Sequence, residues 1–190
     1  GGLGNPSSCS CQCTVLECDE HRQTATHPVD PNEKGSVANK FIRSDQTLVY
    51  PIHFENIGNT SAQDIFVTDT LASVLNLTTL QVFAPNGTVY NLVAGQPISL
   101  RFMEKNRTII FGNQTINSTV NESWSVTLSG STIRWSLLDI DLEVNKTDSV
   151  MLSVLPNKGL PSGAAIRNSA VIQFEIFENI TTNFTLNIID

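Results

Sequence analysis

The sequence predicts an all-β sandwich over residues 29–190, carried behind an extended, cysteine-rich arm formed by residues 1–28. Three observations predict it. From residue 29 onward, short apolar runs recur between Gly, Pro, Asn and Asp turn signals. Within those runs apolar and polar residues alternate, the period of a half-buried strand, and no long helical periodicity appears. The arm, by contrast, is rich in Gly, Ser, Thr and Cys and has little apolar content beyond Val15 and Leu16, too little to bury a core. At 190 residues the chain is long enough for one domain with a full core and short for two.

Each strand can be read in order. QTLVYPIHFENIG sets Leu48, Tyr50, Ile52 and Phe54 on one face. Pro51 lacks an N–H, which asks for a sheet edge or a bulge there. NTSAQ turns the chain into AQDIFVTDTL, with Ile65 and Val67 opposite Phe66. TLQVFAPNGTVYNLV reads as a hairpin over Asn86-Gly87, a pair suited to a tight turn with positive φ. PISLRFMEKNRTIIFG reads as a second hairpin, turning near Lys105-Asn106. SWSVTLSGSTIRWSLLDIDL has turn chemistry at Ser129-Gly130, and its Trp124 and Trp135 are expected to pack in or against the core. DSVMLSVLPN alternates Val150, Leu152 and Val154, and GAAIRNSAVIQFEIF alternates Ile166, Ala170, Ile172 and Phe174. The final NFTLNIID places Phe184, Leu186 and Ile188 on an apolar face, with Asn183, Thr185 and Asn187 on a polar face expected toward solvent.

Charge and composition narrow the function. Asp and Glu total 18 against 11 Lys and Arg, a net charge of −7. A nucleic-acid partner is therefore not expected, because neutralising phosphates needs a basic face. No stretch approaches the ~20 apolar residues of a membrane span. The opening GGLGNPSS, without an initiator Met or an apolar signal region, reads as a linker or a processed start, so the chain is expected to be a mature or excised piece of something longer.

With 18 Asn, 18 Ser and 19 Thr, about three Asn-X-Ser/Thr triplets are expected by chance. There are ten, beginning at Asn59, Asn76, Asn86, Asn106, Asn113, Asn117, Asn121, Asn145, Asn179 and Asn183. The excess predicts a secreted, densely N-glycosylated protein at the cell surface or outside it. Asn113, Asn117 and Asn121 would share one face of an extended strand at about 13 Å spacing, room for three separate glycans. The four cysteines, Cys9, Cys11, Cys13 and Cys18, agree with a secreted chain and imply two disulfides with three possible pairings. A Cys11–Cys13 bond would be strained, since neighbours two apart in an extended strand sit near the upper limit of bridgeable distance. A thiolate metal site with His21 is the weaker reading, because paired knuckle spacings are absent.

Candidates for chemistry are few. His21, His27 and His53 are scattered, and His53 falls on the polar side of its strand. Asp139, Asp141 and Glu143 alternate on one strand face and read as solvated rather than as catalytic carboxylates. Asp30, Asn32 and Glu33 supply part of a calcium ligand set, but read equally as turn formers before the first strand. No nucleophile elbow, phosphate loop or metalloprotease motif appears. No catalytic residue, resident metal or cofactor is expected, apart from covalent N-glycans.

Several stretches resemble a known family. DPNEKG (residues 30–35) is similar to an Asp-Pro-Asn-Asp-Lys signature. QTLVYPIHFENIGNTSAQDIFVTDTLASVLNLTTLQV resembles L-x-Y-x-I-x-F-x-N-x-G followed by A-x-x-V-x-V-x-D-T-L. LPNKGLPSGAAIRNSAVIQFEIFENITTNFTLNIID resembles G-L-P-x-G-x-x-I-x-N-x-A-x-I-x-F-D with a T-N-x-x-x-N-x-I-D tail. Together they look like the conserved-repeat, immunoglobulin-like domains of large bacterial cell-surface and secreted proteins. The resemblance is firm at both ends of residues 29–190 and weak across 84–148; the sequon density and the cysteine arm lie outside it. It implies an immunoglobulin-like β-sandwich without enzymatic activity, used as a structural module.

These readings combine into one expectation. The chain is a building block joined head-to-tail to identical or similar neighbours, either through its arm or through a last strand, carrying Phe184, Leu186 and Ile188, that complements a neighbour's edge. The alternative is an adhesive or carbohydrate-binding surface module, which would need exposed aromatics clustered in loops.

Overall fold

The computed structural model describes residues 32–111, 113–175 and 179–190, and for residues 103–111 and 116–120 the backbone alone. Cys9, Cys11, Cys13, Cys18, His21, His27 and Asp30 lie outside the described residues, as do the side chains of Asn106 and Asn117. Residues 32–190 belong to one compact unit, Pro31–Asp190.

That unit is an immunoglobulin-like β-sandwich. Fourteen strands are described: β1 Glu33–Lys34, β2 Phe41–Ile42, β3 Leu48–Glu55, β4 Ile65–Thr70, β5 Leu75–Phe83, β6 Val89–Asn91, β7 Ile98–Phe111, β8 Gln114–Ser129, β9 Thr132–Leu138, β10 Thr147–Pro156, β11 Ala165–Asn168, β12 Ala170–Phe174, β13 Asn179–Thr181 and β14 Thr185–Ile189. They form a five-stranded sheet in the order β1-β3-β10-β5-β6, a six-stranded sheet β13-β12-β4-β9-β8-β7 and a three-stranded sheet β11-β14-β2.

Alternation builds the core. Leu48, Tyr50, Ile52 and Phe54 of β3 are all fully buried, while His53 is exposed as its parity predicts. Ile65 and Val67 of β4 face them together with Trp135, Val126 and Ile172. Phe54 and Phe174 meet edge to face at 6.2 Å and join the two larger sheets. Trp124 and Trp135 are in the core. Pro51 sits near a margin: its carbonyl accepts from the Gly35 N–H at 2.8 Å, on the side covered only by the two-residue β1. A missing N–H costs little there. The Asn86-Gly87 turn is present, with Gly87 at φ 85° and the Ala84 carbonyl accepting from its N–H. Gly130, at φ 60°, turns β8 into β9.

Four expectations are corrected. There is no turn at Lys105-Asn106: β7 spans Ile98 to Phe111 and pairs antiparallel with β8 as far as Phe111–Gln114, with one shift of register between Phe102 and Glu104. Cross-strand pairing that runs from Glu104 to Phe111 overrides the local turn propensity of Lys-Asn. Second, GAAIRNSAVIQFEIF is two strands. Its inward alternation is unbroken from Ile166 to Phe174, yet β11 pairs with β14 whereas β12 pairs with β4. Third, Asp139, Asp141 and Glu143 follow the end of β9, and Asp139 and Asp141 have φ of 56° and 51°, so they form a loop and not a strand face.

Fourth, the last strand is turned over. Thr185, Asn187 and Ile189 are buried, whereas Phe184 is 66% exposed and Leu186 and Ile188 are half-buried on the outer face. β14 also has partners on both sides within its own sheet, antiparallel β11 and parallel β2. It is not a free strand awaiting a neighbour.

Candidate functional site: a buried lysine, aspartate and asparagine

The inward parity of three strands delivers three polar side chains to one place. In β1, Glu33 points out and Lys34 points in. In β4, Asp69 follows Ile65 and Val67 on the buried face. In β11, Asn168 follows Ile166. Lys34 and Asp69 form an ion pair with both side chains at 0% exposure. A fully buried lysine or aspartate is rare unless paired. The Asn168 Nδ2 donates to the same Asp69 Oδ2 at 3.5 Å. The Lys34 Nζ also lies 4.7 Å from the centre of the Tyr50 ring.

Burial works against charge here. Desolvation lowers the Lys34 pKa from 10.5 to about 8, although the Asp69 carboxylate opposes the shift. Desolvation likewise pushes the Asp69 carboxyl above the usual carboxylate range, opposed by Lys34 and then by Asn168. Tyr50 is pushed up by burial and by Asp69 and stays neutral. Both shifts favour moving the lysine proton onto the aspartate. Two oxygens of the cluster, Asp69 Oδ1 and Asn168 Oδ1, are buried with no hydrogen-bond partner among the described residues. A buried acceptor without a partner is costly.

The segment before and within β14 closes the site. The Asn183 Oδ1 accepts from the Lys34 N–H at 2.9 Å, and its Nδ2 donates to the Lys34 carbonyl at 2.9 Å. The Thr185 hydroxyl donates to the Asn168 carbonyl at 3.3 Å. The Asn187 Oδ1 accepts from the Tyr50 and Ser36 hydroxyls, both at 3.3 Å, and its Nδ2 donates to the Asn39 carbonyl at 2.9 Å.

None of Lys34, Asp69 and Asn168 was a candidate for chemistry in the sequence. A signal was present: Lys34, Asp69 and Asn168 all lie inside the motifs of the family resemblance, and Asp69 and Asn168 occupy positions where the strand pattern wants an apolar residue. Of the candidates for chemistry that are described, His53 is exposed on β3 and Asp139, Asp141 and Glu143 lie in the loop after β9. Asn32 is buried and Glu33 exposed, and Asp30, the third member of the calcium set, lies outside the described residues. Among the described residues no group of three or more His, Cys, Asp and Glu side chains could hold a metal ion. No described helix is long and apolar enough to cross a membrane.

The glycan acceptors fall mostly on the surface. Asn59, Asn86, Asn113, Asn121, Asn145 and Asn179 are exposed. Asn76 is half-buried, its Oδ1 accepting from the Thr78 N–H and hydroxyl. Asn106 lies in β7, opposite Thr119, rather than in a turn. Asn183 is exposed, yet its amide is committed to Lys34. Four acceptors gather on one ribbon. β9 reaches β8 only from Ser123 onward, so Gln114–Glu122 pair with β7 alone. A two-stranded ribbon is marginally stable by itself. Limited proteolysis of unglycosylated chain is expected to nick residues 104–121 first, and chain carrying glycans there to resist.

A sequence family described as a domain of unknown function (DUF7619) matches residues 30–118. No curated protein sequence matches the chain. Among solved structures, two of BcpA, the major pilin subunit of Bacillus cereus, are similar at 16% and 17% identity, with TM-scores of 0.48 and 0.46. Each match covers 83% of this chain and 39% of the pilin, so the chain spans well under half of that protein's length. The collagen-binding domain of a Staphylococcus aureus adhesin is similar at 10% identity and a TM-score of 0.40, over 84% of this chain and 96% of that domain.

Proposed function

We propose that the chain is a structural module of an extracellular or cell-surface assembly whose sandwich seals itself with an amide bond between Lys34 and Asn168. The observation that carries this reading is the meeting of the Lys34 amine and the Asn168 carboxamide on one buried carboxylate, Asp69.

The chemistry needs no external reagent. Within the pair the proton passes from the Lys34 ammonium to Asp69, leaving a neutral amine and a carboxylic acid. The Nζ lone pair attacks the Asn168 Cγ while Asp69 gives its proton toward the carboxamide oxygen, which has no other partner among the described residues. The tetrahedral centre collapses: the Cγ–Nδ2 bond breaks, and the nitrogen takes up the proton relayed by Asp69 together with the one Nζ gives up and leaves as ammonium, that is, ammonia carrying the proton Lys34 first held. One N–C bond forms and one breaks, nothing is oxidised, and Asp69 is regenerated. Exclusion of water protects the reaction from hydrolysis and strengthens the proton transfers. The event happens once per molecule, so the chain is not an enzyme in the sense of turnover.

The reading fits the family resemblance, in which such domains are building blocks, since the three residues lie within its motifs. Exposed acceptors support a glycosylated, secreted setting. Phe184 and Phe41, 66% and 59% exposed on the outside of the three-stranded sheet, offer a face for a like neighbour, with β14 left in its own domain. The two tryptophans that an adhesive surface would recruit are buried.

Intact-mass measurement of chain made in a host without N-glycosylation tests it. The folded protein is expected to be lighter than its sequence by one ammonia, with Lys34 and Asn168 in one cross-linked peptide after digestion. Full mass in every folded molecule would remove the proposal. Bond formation requires one proton shared by the pair. Its rate is therefore expected to fall above about pH 8, where that proton leaves Lys34, and again in acid, where Asp69 is protonated beside a Lys34 that is still charged.

A further inference from the structure

We infer that Asn183 and Thr185 are positioning residues for the Lys34–Asn168 bond, so that the last strand must dock before the sandwich can seal; this rests on the cross-link proposed above. The two reacting residues belong to different sheets, Lys34 to the five-stranded one and Asn168 to the three-stranded one. Nothing in either ladder fixes the distance between them. The last segment does, Asn187 tying Ser36 and Tyr50 to β14 and residues 182–185 holding the reacting pair itself. Asn183 grips both backbone groups of Lys34, at 2.9 Å each, and Thr185 holds the Asn168 carbonyl at 3.3 Å.

The geometry of each grip is specific. The Gly35 N–H faces β3, so by strand alternation the Lys34 N–H and C=O face the opposite side, the outer margin of the sheet. The Asn183 carboxamide is the group that covers this margin at Lys34, offering an acceptor and a donor in the spacing of a neighbouring strand. Thr185 is only 7% exposed and stands directly opposite Asn168 in the β11–β14 register. Thr182 extends the hold past the strand switch: its hydroxyl accepts from the Ala170 N–H at 2.9 Å, and its own N–H donates to the Ala170 carbonyl at 2.8 Å. Residues 182–185 thus fix the backbones on which the nucleophile and the electrophile are mounted. Because attack requires near-contact geometry, a displacement of about 1 Å can slow a reaction about 100-fold.

The full 190-residue chain, made without glycosylation, purified unfolded and then refolded, provides the test. Burial of Trp124 and Trp135 reports folding by fluorescence, and intact mass reports ammonia loss separately. Asn183→Ala is expected to regain native fluorescence yet lose ammonia about 100-fold more slowly than wild type. Thr185→Val, the same shape without the hydroxyl, should also be slow, and Thr185→Ser should restore the wild-type rate. The pH at which the rate falls should be unchanged in all three, because Lys34 and Asp69 are untouched. Wild-type ammonia loss in folded Asn183→Ala and Thr185→Val would overturn the inference. Should Asn183→Ala not fold, the valine and serine pair decides alone: equal rates overturn it, and a slow valine with a fast serine supports it. A wild-type chain that never loses ammonia would overturn the cross-link itself, and this inference with it.

Discussion

Asn168→Ala is expected to give a folded chain of undiminished mass that unfolds about 5 kcal/mol more easily than the wild type. The proposed bond closes a loop of more than a hundred residues between Lys34 and Asn168, and closing a loop of that size removes roughly 5 kcal/mol of chain entropy from the unfolded state. For a domain of this length that is a drop of roughly 10–20 °C in the unfolding midpoint. Thermal melts followed by tryptophan fluorescence, with intact mass on the same samples, check it. A variant that melts with the wild type would show that no such loop is closed.

Asp69→Ala is expected to do more damage. It removes the proton relay, so the bond does not form, and it leaves the Lys34 amine at 0% exposure with no counter-charge. An uncompensated buried charge costs about 3–5 kcal/mol. Lys34 can escape part of that cost by losing its proton, which its pKa of about 8 already makes easy. Asp69→Asn should separate the two losses: it blocks the relay but keeps a polar partner for the amine. In the double variant Lys34→Met with Asp69→Ala, an apolar chain of similar length replaces the orphaned amine, and most of the stability beyond the lost cross-link should return. Urea unfolding midpoints of the four proteins provide the measurement. A double variant no more stable than Asp69→Ala alone would mean that the penalty does not come from the lysine charge.

The two larger sheets were legible because their strands follow one rule. Leu48, Tyr50, Ile52 and Phe54, and likewise Val150, Leu152 and Val154, bury the parity that their pattern marks as apolar. The failures are equally physical. β11 and β12 read as one strand because inward alternation continues from Asn168 to Ala170 while the hydrogen-bonding partner changes, and alternation carries no information about partners. Lys105-Asn106 has turn chemistry, but thirteen cross-strand pairs between β7 and β8 outweigh it. The last strand came out inverted because Phe184, Leu186 and Ile188 face outward, while Asn187 and Thr185 face inward to hydroxyls and carbonyls supplied by distant strands. The buried cluster of Lys34, Asp69 and Asn168 was hidden for the same reason. A lone charged residue on a core parity looks like noise until its partner, far away in sequence, is placed beside it.

The position of the proposed Lys34–Asn168 link has a consequence for tension. When the domain is pulled between its first described residues and residue 190, force entering at β1 crosses directly to β11. Residues 35–167, which hold both tryptophans and nearly the whole core, then lie off the load path and cannot lengthen. Only residues 169–190 remain to pay out, about 75 Å at ~3.4 Å each when fully extended. Those residues include β14, so the strand that assembles the clasp is also the single stretch that can yield once the clasp is shut. A row of such domains would behave as a string of nearly inextensible links, each with one short and identical element of give.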